Sequence, residues 1–161
     1  MEPMLEEAVQ SANLFVHKDM SDVFLPLHLI SLAFVLWNVL RADHAGFLWV
    51  RGIKKILDES MVRKYHRGTW IGLCCMIFTG LFLFYPMREF LLERPQFYIK
   101  MFFVVILILN GFAIGKLSNI ATQKSFSSLS TKEKLPLVIS GLLSTIAWLM
   151  VIASAFYLIP D

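Results

Sequence analysis

A histidine lies inside a long apolar segment in the first quarter of the 161-residue chain. Residues 23–37 around His28 hold no other ionisable side chain. An ionisable group at membrane depth commonly marks a functional site. Imidazole is a ligand for haem iron or copper, and the thioether of Met87 or Met101 is a soft partner for either metal. The same imidazole can also serve only as a hydrogen-bonding group between helices.

Two further histidines, His44 and His66, stand beside basic residues and form an alternative pair of ligands. Both are expected on the same side of the membrane. Because an α-helix rises about 1.5 Å per residue, His28 and His66, near opposite ends of antiparallel helices, should be too far apart to share one metal ion. The basic surroundings equally favour contacts of His44 and His66 with water or lipid headgroups.

Four uncharged polar side chains lie at intermediate depth: Ser31, Asn38, Thr79 and Asn110. In lipid such groups commonly form hydrogen bonds between helices. If they face one another, they can line a polar path for a small solute. Four short spans rarely enclose a pore alone, so a transporter or channel subunit of this kind would be a homo-oligomer.

These side chains are positioned by four apolar runs, each long enough to cross the roughly 20 residues that a hydrocarbon core requires. The predicted spans are approximately residues 23–40, 69–85, 97–114 and 135–159. A polar turn beginning at Pro86 separates the second span from the third. The sequence therefore predicts an all-α polytopic membrane protein, in which a single domain of residues 1–161 forms an antiparallel four-transmembrane-helix bundle.

Small residues on the last two spans predict close helix contacts, since association in lipid depends on packing rather than on the hydrophobic effect. The third span carries Gly111 and Gly115. The fourth carries a stripe of four small residues: Ser140, Ser144, Ala147 and Ser154.

Two shorter segments, approximately residues 4–18 and 46–58, are predicted to be interfacial helices. The first is an amphipathic helix at the amino terminus, with its apolar residues on one stripe. The second carries Trp49 as a membrane anchor and basic residues that attract anionic lipid. In the alternative, the first span continues unbroken towards Trp49.

Lysine and arginine are distributed unevenly among the connections, and cationic loops remain cytoplasmic. The first connection holds Arg41, Arg51, Lys54, Lys55, Arg63, Lys64 and Arg67, and the third holds Lys116, Lys124, Lys132 and Lys134. The opposite side holds only Lys18, Arg88, Arg94 and Lys100. We therefore predict a multi-pass protein of a bacterial cytoplasmic (inner) membrane, with both termini outside and the first and third connections cytoplasmic.

The composition excludes an ordinary soluble domain, because 57% of the residues are hydrophobic and only 17% are charged. The lipid bilayer is the partner that this predicts. A net charge of +3, without a basic stripe or an aromatic nucleic-acid motif, predicts no nucleic-acid partner. Cys74 and Cys75 are neighbours on one helix and point about 100° apart, so they are not expected to form a disulfide with each other.

Three short motifs follow one another along most of the chain. They are Leu27-His28-Leu29 with Trp37 further on, Thr79-Gly80-Leu81, and Tyr98-Ile99-Lys100-Met101 followed by Leu109-Asn110. In order and spacing they resemble the four-helix membrane families that include copper-resistance D domains and membrane-bound haem-biosynthetic protoporphyrinogen oxidases. The resemblance implies that His28 is a haem or copper ligand and that Lys100 is functionally placed.

The function we expect is that of an integral membrane haem-binding or metal-handling redox protein. The expected cofactor is haem b, with copper as the alternative; His28 and Met101 are the ligands expected to bind it. Lys100 and Arg41 would neutralise the haem propionates. A further alternative is a structural membrane partner without a catalytic site, whose small-residue faces dock another membrane protein.

Overall fold

The computed structural model describes the backbone of residues 2–158 and the side chains of residues 20–158. It contains four helices, α1 (Glu2–Val50), α2 (Glu59–Leu92), α3 (Pro95–Gln123) and α4 (Thr131–Phe156), with a short 3-10 helix, Phe126–Ser128, before α4. Met20–Val50 of α1, and all of α2, α3 and α4, are long and apolar enough to cross a membrane. No strand occurs in this part of the chain. The predicted all-α, four-helix membrane fold is confirmed.

The helices extend beyond the predicted spans, most clearly in α2. That helix continues through Pro86 to Leu92, so the polar turn expected from Pro86 onwards is reduced to Glu93 and Arg94. A proline removes only one backbone donor, and spanning helices tolerate this where neighbouring groups satisfy the freed carbonyl. The buried Leu91 holds the last turn of α2 in place.

The predicted interfacial helix over residues 46–58 is wrong. Residues 46–50 form the last turn of α1, residues 51–56 form turns and bends, and residues 57 and 58 have no regular structure. Helix α1 ends at Val50, and Gly52, two residues later, adopts the left-handed conformation with φ 73°. Gly52 N–H donates to the Trp49 carbonyl and Ile53 N–H donates to the Leu48 carbonyl, each at a distance of 3.0 Å. These two bonds form a Schellman motif, which stops a helix and satisfies its last carbonyls.

Trp49 is not a lipid anchor, because only 3% of its surface is exposed. Its indole N–H donates to the Lys124 carbonyl over 3.1 Å, and its ring packs edge-on against Phe126. The adjoining connection is also tied to α3, since Leu57 N–H donates to the Ala121 carbonyl over 2.9 Å. The alternative prediction, in which the first span continues unbroken to Trp49, is confirmed.

The predicted amino-terminal helix over residues 4–18 is helical, but its backbone runs without a break into the first span. Its side chains lie outside the described residues. Its apolar stripe and interfacial position therefore stay predictions.

The four helices pack as two hairpins that share one core. Helix α1 lies closely against α2, and α3 against α4. A Cβ atom at Gly72 would lie 2.8 Å from the Val35 Cβ atom, so the absence of a side chain allows α1 and α2 to approach. The core contains residues from all four helices: Val35, Val39, Leu73, Met76, Leu107, Ala147, Trp148 and Val151.

The second hairpin is joined by a reciprocal pair of hydrogen bonds. The Asn110 amide donates to the Ser140 carbonyl over 2.9 Å, and the Ser140 hydroxyl donates to Asn110 Oδ1 over 2.7 Å. Both residues are buried. The small-residue stripe of α4 is buried with them: Ser140, Ser144, Ala147 and Ser154. The prediction that this stripe is a packing face is confirmed.

The outer surface of the bundle is apolar, and large side chains dominate it. The Trp37, Phe102, Leu109 and Leu142 residues are each about 60% exposed. Soluble monomers rarely expose continuous apolar surface on this scale. Contact with a lipid bilayer accounts for it, because hydrocarbon chains solvate such a surface.

Candidate functional site

His28 lies on the face of α1 that packs against α2. Its ring Nδ1 atom is 2.8 Å from the hydroxyl oxygen of Thr79. Thr79 is buried, and His28 is half-buried. Helix α2 brings Thr79 and Gly80 to this contact together. A Cβ atom at Gly80 would lie 3.5 Å from the His28 Cε1 atom, so the ring is in contact range of the α2 backbone.

The Thr79 hydroxyl joins the His28 ring to the backbone of α2. Thr79 has one hydroxyl hydrogen, and its oxygen lies 2.8 Å from the carbonyl of Cys75, which can only accept. The same oxygen lies 3.2 Å from the carbonyl of Met76. With its hydrogen directed to one of these carbonyls, the Thr79 oxygen is able to accept from His28 Nδ1–H, in the tautomer that leaves the lone pair of the neutral ring on Nε2. No hydrogen bond to Nε2 is formed within the described side chains.

Lys100 lies near His28. It is in the second turn of α3, is half-buried, and is close enough to act electrostatically on His28. Two predicted site residues from different helices are thus brought to the same end of the bundle.

Met101 and Arg41 lie elsewhere. Met101 is 43% exposed on α3, which places it towards the lipid-facing surface. The predicted His28–Met101 ligand pair stays a prediction. The Arg41 guanidinium stacks on the Trp37 ring, 5.0 Å from its centroid. Arg41 is thirteen residues beyond His28 on α1, about 20 Å at the rise of a helix.

His66 differs from His28 in the state of its lone pair. The indole N–H of Trp70 donates to His66 Nε2 over 3.2 Å, so the acceptor nitrogen is already occupied. His44 is exposed on α1, and no hydrogen bond or ring contact joins it to His66. Thr79, the partner of His28, is thirteen residues after His66 on α2, about 20 Å along the axis. This separation agrees with the expectation that His28 and His66 do not share one metal.

The four residues of the predicted polar path are not linked to one another by hydrogen bonds. Ser31 and Asn38 each donate to a carbonyl four residues earlier in their own helix, over 2.8 Å. Thr79 pairs with His28, and Asn110 pairs with Ser140 on α4. Each group is satisfied in a separate place, at a helix contact or within its own helix. The oligomeric transporter therefore gains no support from their arrangement and stays a prediction.

Within residues 20–158, no three His, Cys, Asp or Glu side chains converge as a group that could hold a metal ion. Cys74 and Cys75 are both free and exposed on α2. No family model matches this chain, and neither a curated protein nor a solved structure is similar to it.

Sequence reasoning missed the glycines that set the distance between α1 and α2. Gly68 lies directly against the Asn38 amide, and Gly72 lies against Val35. The signal was available, because Gly68-x-x-x-Gly72 is a small-residue pair at the spacing that allows close helix crossing. These glycines bring α2 against α1, and Thr79 lies further along the same helix contact, beside His28.

Proposed function

We propose that this chain is an integral membrane haem-binding redox protein in which His28 would bind the haem iron through Nε2. The observation that carries the proposal is the 2.8 Å hydrogen bond between His28 Nδ1 and the Thr79 hydroxyl, in which the proposal makes Nδ1–H the donor. Histidine ligands of metals almost always donate their other ring N–H to a fixed acceptor, which sets the tautomer and the ring orientation. In this proposal Thr79 supplies that acceptor. The ligand atom is Nε2, whose lone pair is free.

The donor set favours haem over a copper ion. A copper site needs several protein ligands, and no group of three His, Cys, Asp or Glu side chains that could hold a metal ion is present among residues 20–158. A haem macrocycle contributes four nitrogen atoms itself, so one imidazole from the protein would suffice. By itself His28 would meet that requirement, at the contact between α1 and α2.

The surrounding residues have separate roles in this proposal. Thr79 would orient the imidazole through its hydroxyl. Lys100 offers a positive charge near His28 to an anionic propionate. The apolar side chains of α1 and α2 exclude water from the ligand. When bound, the haem iron supplies one-electron chemistry, and its potential depends on the axial ligand and on burial.

An absorption spectrum tests the proposal directly. The full chain is expressed with ample haem supplied and purified in detergent, and its visible absorption spectrum is recorded. We expect a Soret band that shifts on reduction with dithionite. A colourless protein that is folded by circular dichroism would overturn the proposal.

We further propose that the α1–α2 and α3–α4 connections face the cytoplasm of a bacterial cell, with both ends of the chain outside. The exposed Arg51, Lys54 and Lys55 support the first placement, and the exposed Lys132 supports the second. This orientation puts His28 towards the outer side.

Reporter fusions at the last residue test the orientation. An alkaline phosphatase fusion is expected to be active, because that enzyme folds only outside the cytoplasm, whereas a green fluorescent protein fusion is expected to be dark. Matched fusions in the α1–α2 connection, after Lys55, should give the opposite result. A bright fluorescent fusion at the carboxyl end would reverse the assignment.

A further inference from the structure

A groove lies between α1 and α2 at the end of the bundle opposite His28. Its volume is about 740 Å³, within the range of pockets that hold small ligands. Its walls change in character along the helix axes. Phe34, Asn38 and Ile71 line the end towards the centre of the bundle, and Arg63, Lys64 and Arg67 line the end beside the α1–α2 connection.

The charges within the groove are unequally paired. Arg63 forms an ion pair with Glu59 on the same helix. Asp58 accepts hydrogen bonds from the backbone N–H and the hydroxyl of Ser60, and these bonds hold the pKa of its carboxyl below the usual range. Both acidic groups of the groove therefore have partners next to them in the chain.

Lys64 and Arg67 have no such partner. Both are exposed, and neither forms a hydrogen bond or an ion pair within the described residues. They are three residues apart on α2 and so lie on neighbouring positions of one helix face. Arginine presents a fork of donors that matches a phosphate group, and lysine adds a compact positive charge. The polar end of the groove is suited to a phosphate anion.

The apolar end indicates that the anion carries a hydrocarbon chain. Phe34 is 46% exposed and Ile71 is 49% exposed. Ile71 lies four residues after Arg67, about 6 Å further along α2 and into the apolar part of the helix. A free phosphate would contact only the cationic end. A phospholipid would contact both ends in the order in which the groove presents them.

We propose that this groove binds an anionic phospholipid, with the phosphate on Lys64 and Arg67 and an acyl chain along Phe34 and Ile71. Basic pockets between spanning helices on the cytoplasmic side commonly take such headgroups. The neighbouring connection carries Arg51, Lys54 and Lys55, which extend the positive potential. The site is separate from that of the proposed haem, since Arg67 precedes Thr79 by twelve residues, about 18 Å along α2.

The test measures lipid binding to the full chain in detergent by native mass spectrometry, with phosphatidylglycerol and phosphatidylcholine as probes. We expect phosphatidylglycerol to bind in preference to phosphatidylcholine. The double variant Lys64→Gln, Arg67→Gln should weaken phosphatidylglycerol binding roughly 10- to 30-fold, given the contribution of each cation near a membrane surface. Both side chains are exposed and unpaired among the described residues, so the variant is expected to fold.

The matched control is Lys116→Gln, Lys132→Gln. It removes the same charge from exposed positions on the same end of the bundle, outside the groove. We expect this control to change phosphatidylglycerol binding less than threefold, a diffuse electrostatic effect. Equal losses in the two double variants would overturn the proposal, and so would equal binding of the two lipids.

Competition with inorganic phosphate distinguishes a site for a phospholipid from a site for free phosphate. At about 10 mM, far above the concentration of bound lipid, phosphate is expected to leave phosphatidylglycerol binding nearly unchanged, because it cannot replace the contacts of the acyl chain with Phe34 and Ile71. Complete displacement of the lipid by phosphate would overturn the lipid site in favour of a site for a free anion.

Discussion

Haem binding is expected to be lost in His28→Ala and to weaken about 10- to 100-fold in Thr79→Val. The first variant removes the proposed ligand. The second is close in shape to threonine but removes the acceptor that fixes Nδ1–H, and changes of this kind in the partners of metal ligands typically cost that much affinity. The measurement is a haem titration of the purified protein followed at the Soret band.

Three controls separate the role of Thr79 from a general loss of packing. Thr79→Ser keeps the hydroxyl and is expected to bind haem nearly as tightly as the wild type. Thr69→Val makes the same substitution on the same helix, where the hydroxyl donates only to the Tyr65 carbonyl over 2.9 Å, and should leave the affinity unchanged. His66→Ala is also expected to retain haem, because its Nε2 lone pair is occupied by Trp70.

Two outcomes would contradict this assignment. If Thr79→Ser and Thr79→Val lose the same affinity, the hydroxyl is not what positions the imidazole. If His66→Ala loses haem and His28→Ala keeps it, the haem ligand is His66 and not His28.

The number and type of the helices could be predicted from the sequence because hydrocarbon accepts only helices or closed barrels. A run of apolar residues therefore specifies a spanning helix without knowledge of its neighbours. The ends of the helices do not follow from hydropathy in the same way. Pro86 does not end α2, whereas α1 ends through a local hydrogen-bond pattern at Gly52.

The candidate site could be predicted only in part. Sequence identified His28 and Lys100 and placed them on one side of the membrane, because depth follows from position in a span. It could not pair His28 with Thr79, since that contact depends on how α1 and α2 are rotated and offset against each other. Gly68 and Gly72 fix that register. A small residue in a sequence indicates that another helix comes close, but it does not show which residue of that helix packs against it.

The environment of Trp49 also could not be predicted from the local sequence. A tryptophan beside basic residues at the end of a span is typical of a membrane anchor, yet this one is buried and bonded to the Lys124 carbonyl. The partner lies seventy-five residues later. Only the tertiary fold brings the end of α3 to the indole, so the local pattern indicates the wrong environment.

Gly72→Ala is expected to destabilise the protein by about 1–3 kcal/mol, the usual cost of overpacking a fitted contact. Its new Cβ atom would lie 2.8 Å from the Val35 Cβ and 3.2 Å from the Val35 Cα. The second of these is backbone, so relief requires α1 and α2 to separate. The free energy of unfolding is measured in detergent by denaturant titration, with circular dichroism as the signal.

Two further glycines on the same chain calibrate that result. Gly141 has no atom within 4 Å of an added Cβ, so Gly141→Ala is expected to be neutral or to stabilise α4 by up to about 1 kcal/mol, the helix preference of alanine over glycine. Gly68→Ala should fall between the two, because the group that it meets is the Asn38 side-chain amide, which can rotate away at the expense of its bond to the Phe34 carbonyl. If Gly72→Ala is as stable as Gly141→Ala, α1 and α2 do not cross at these glycines, and the register that pairs His28 with Thr79 must be revised with them.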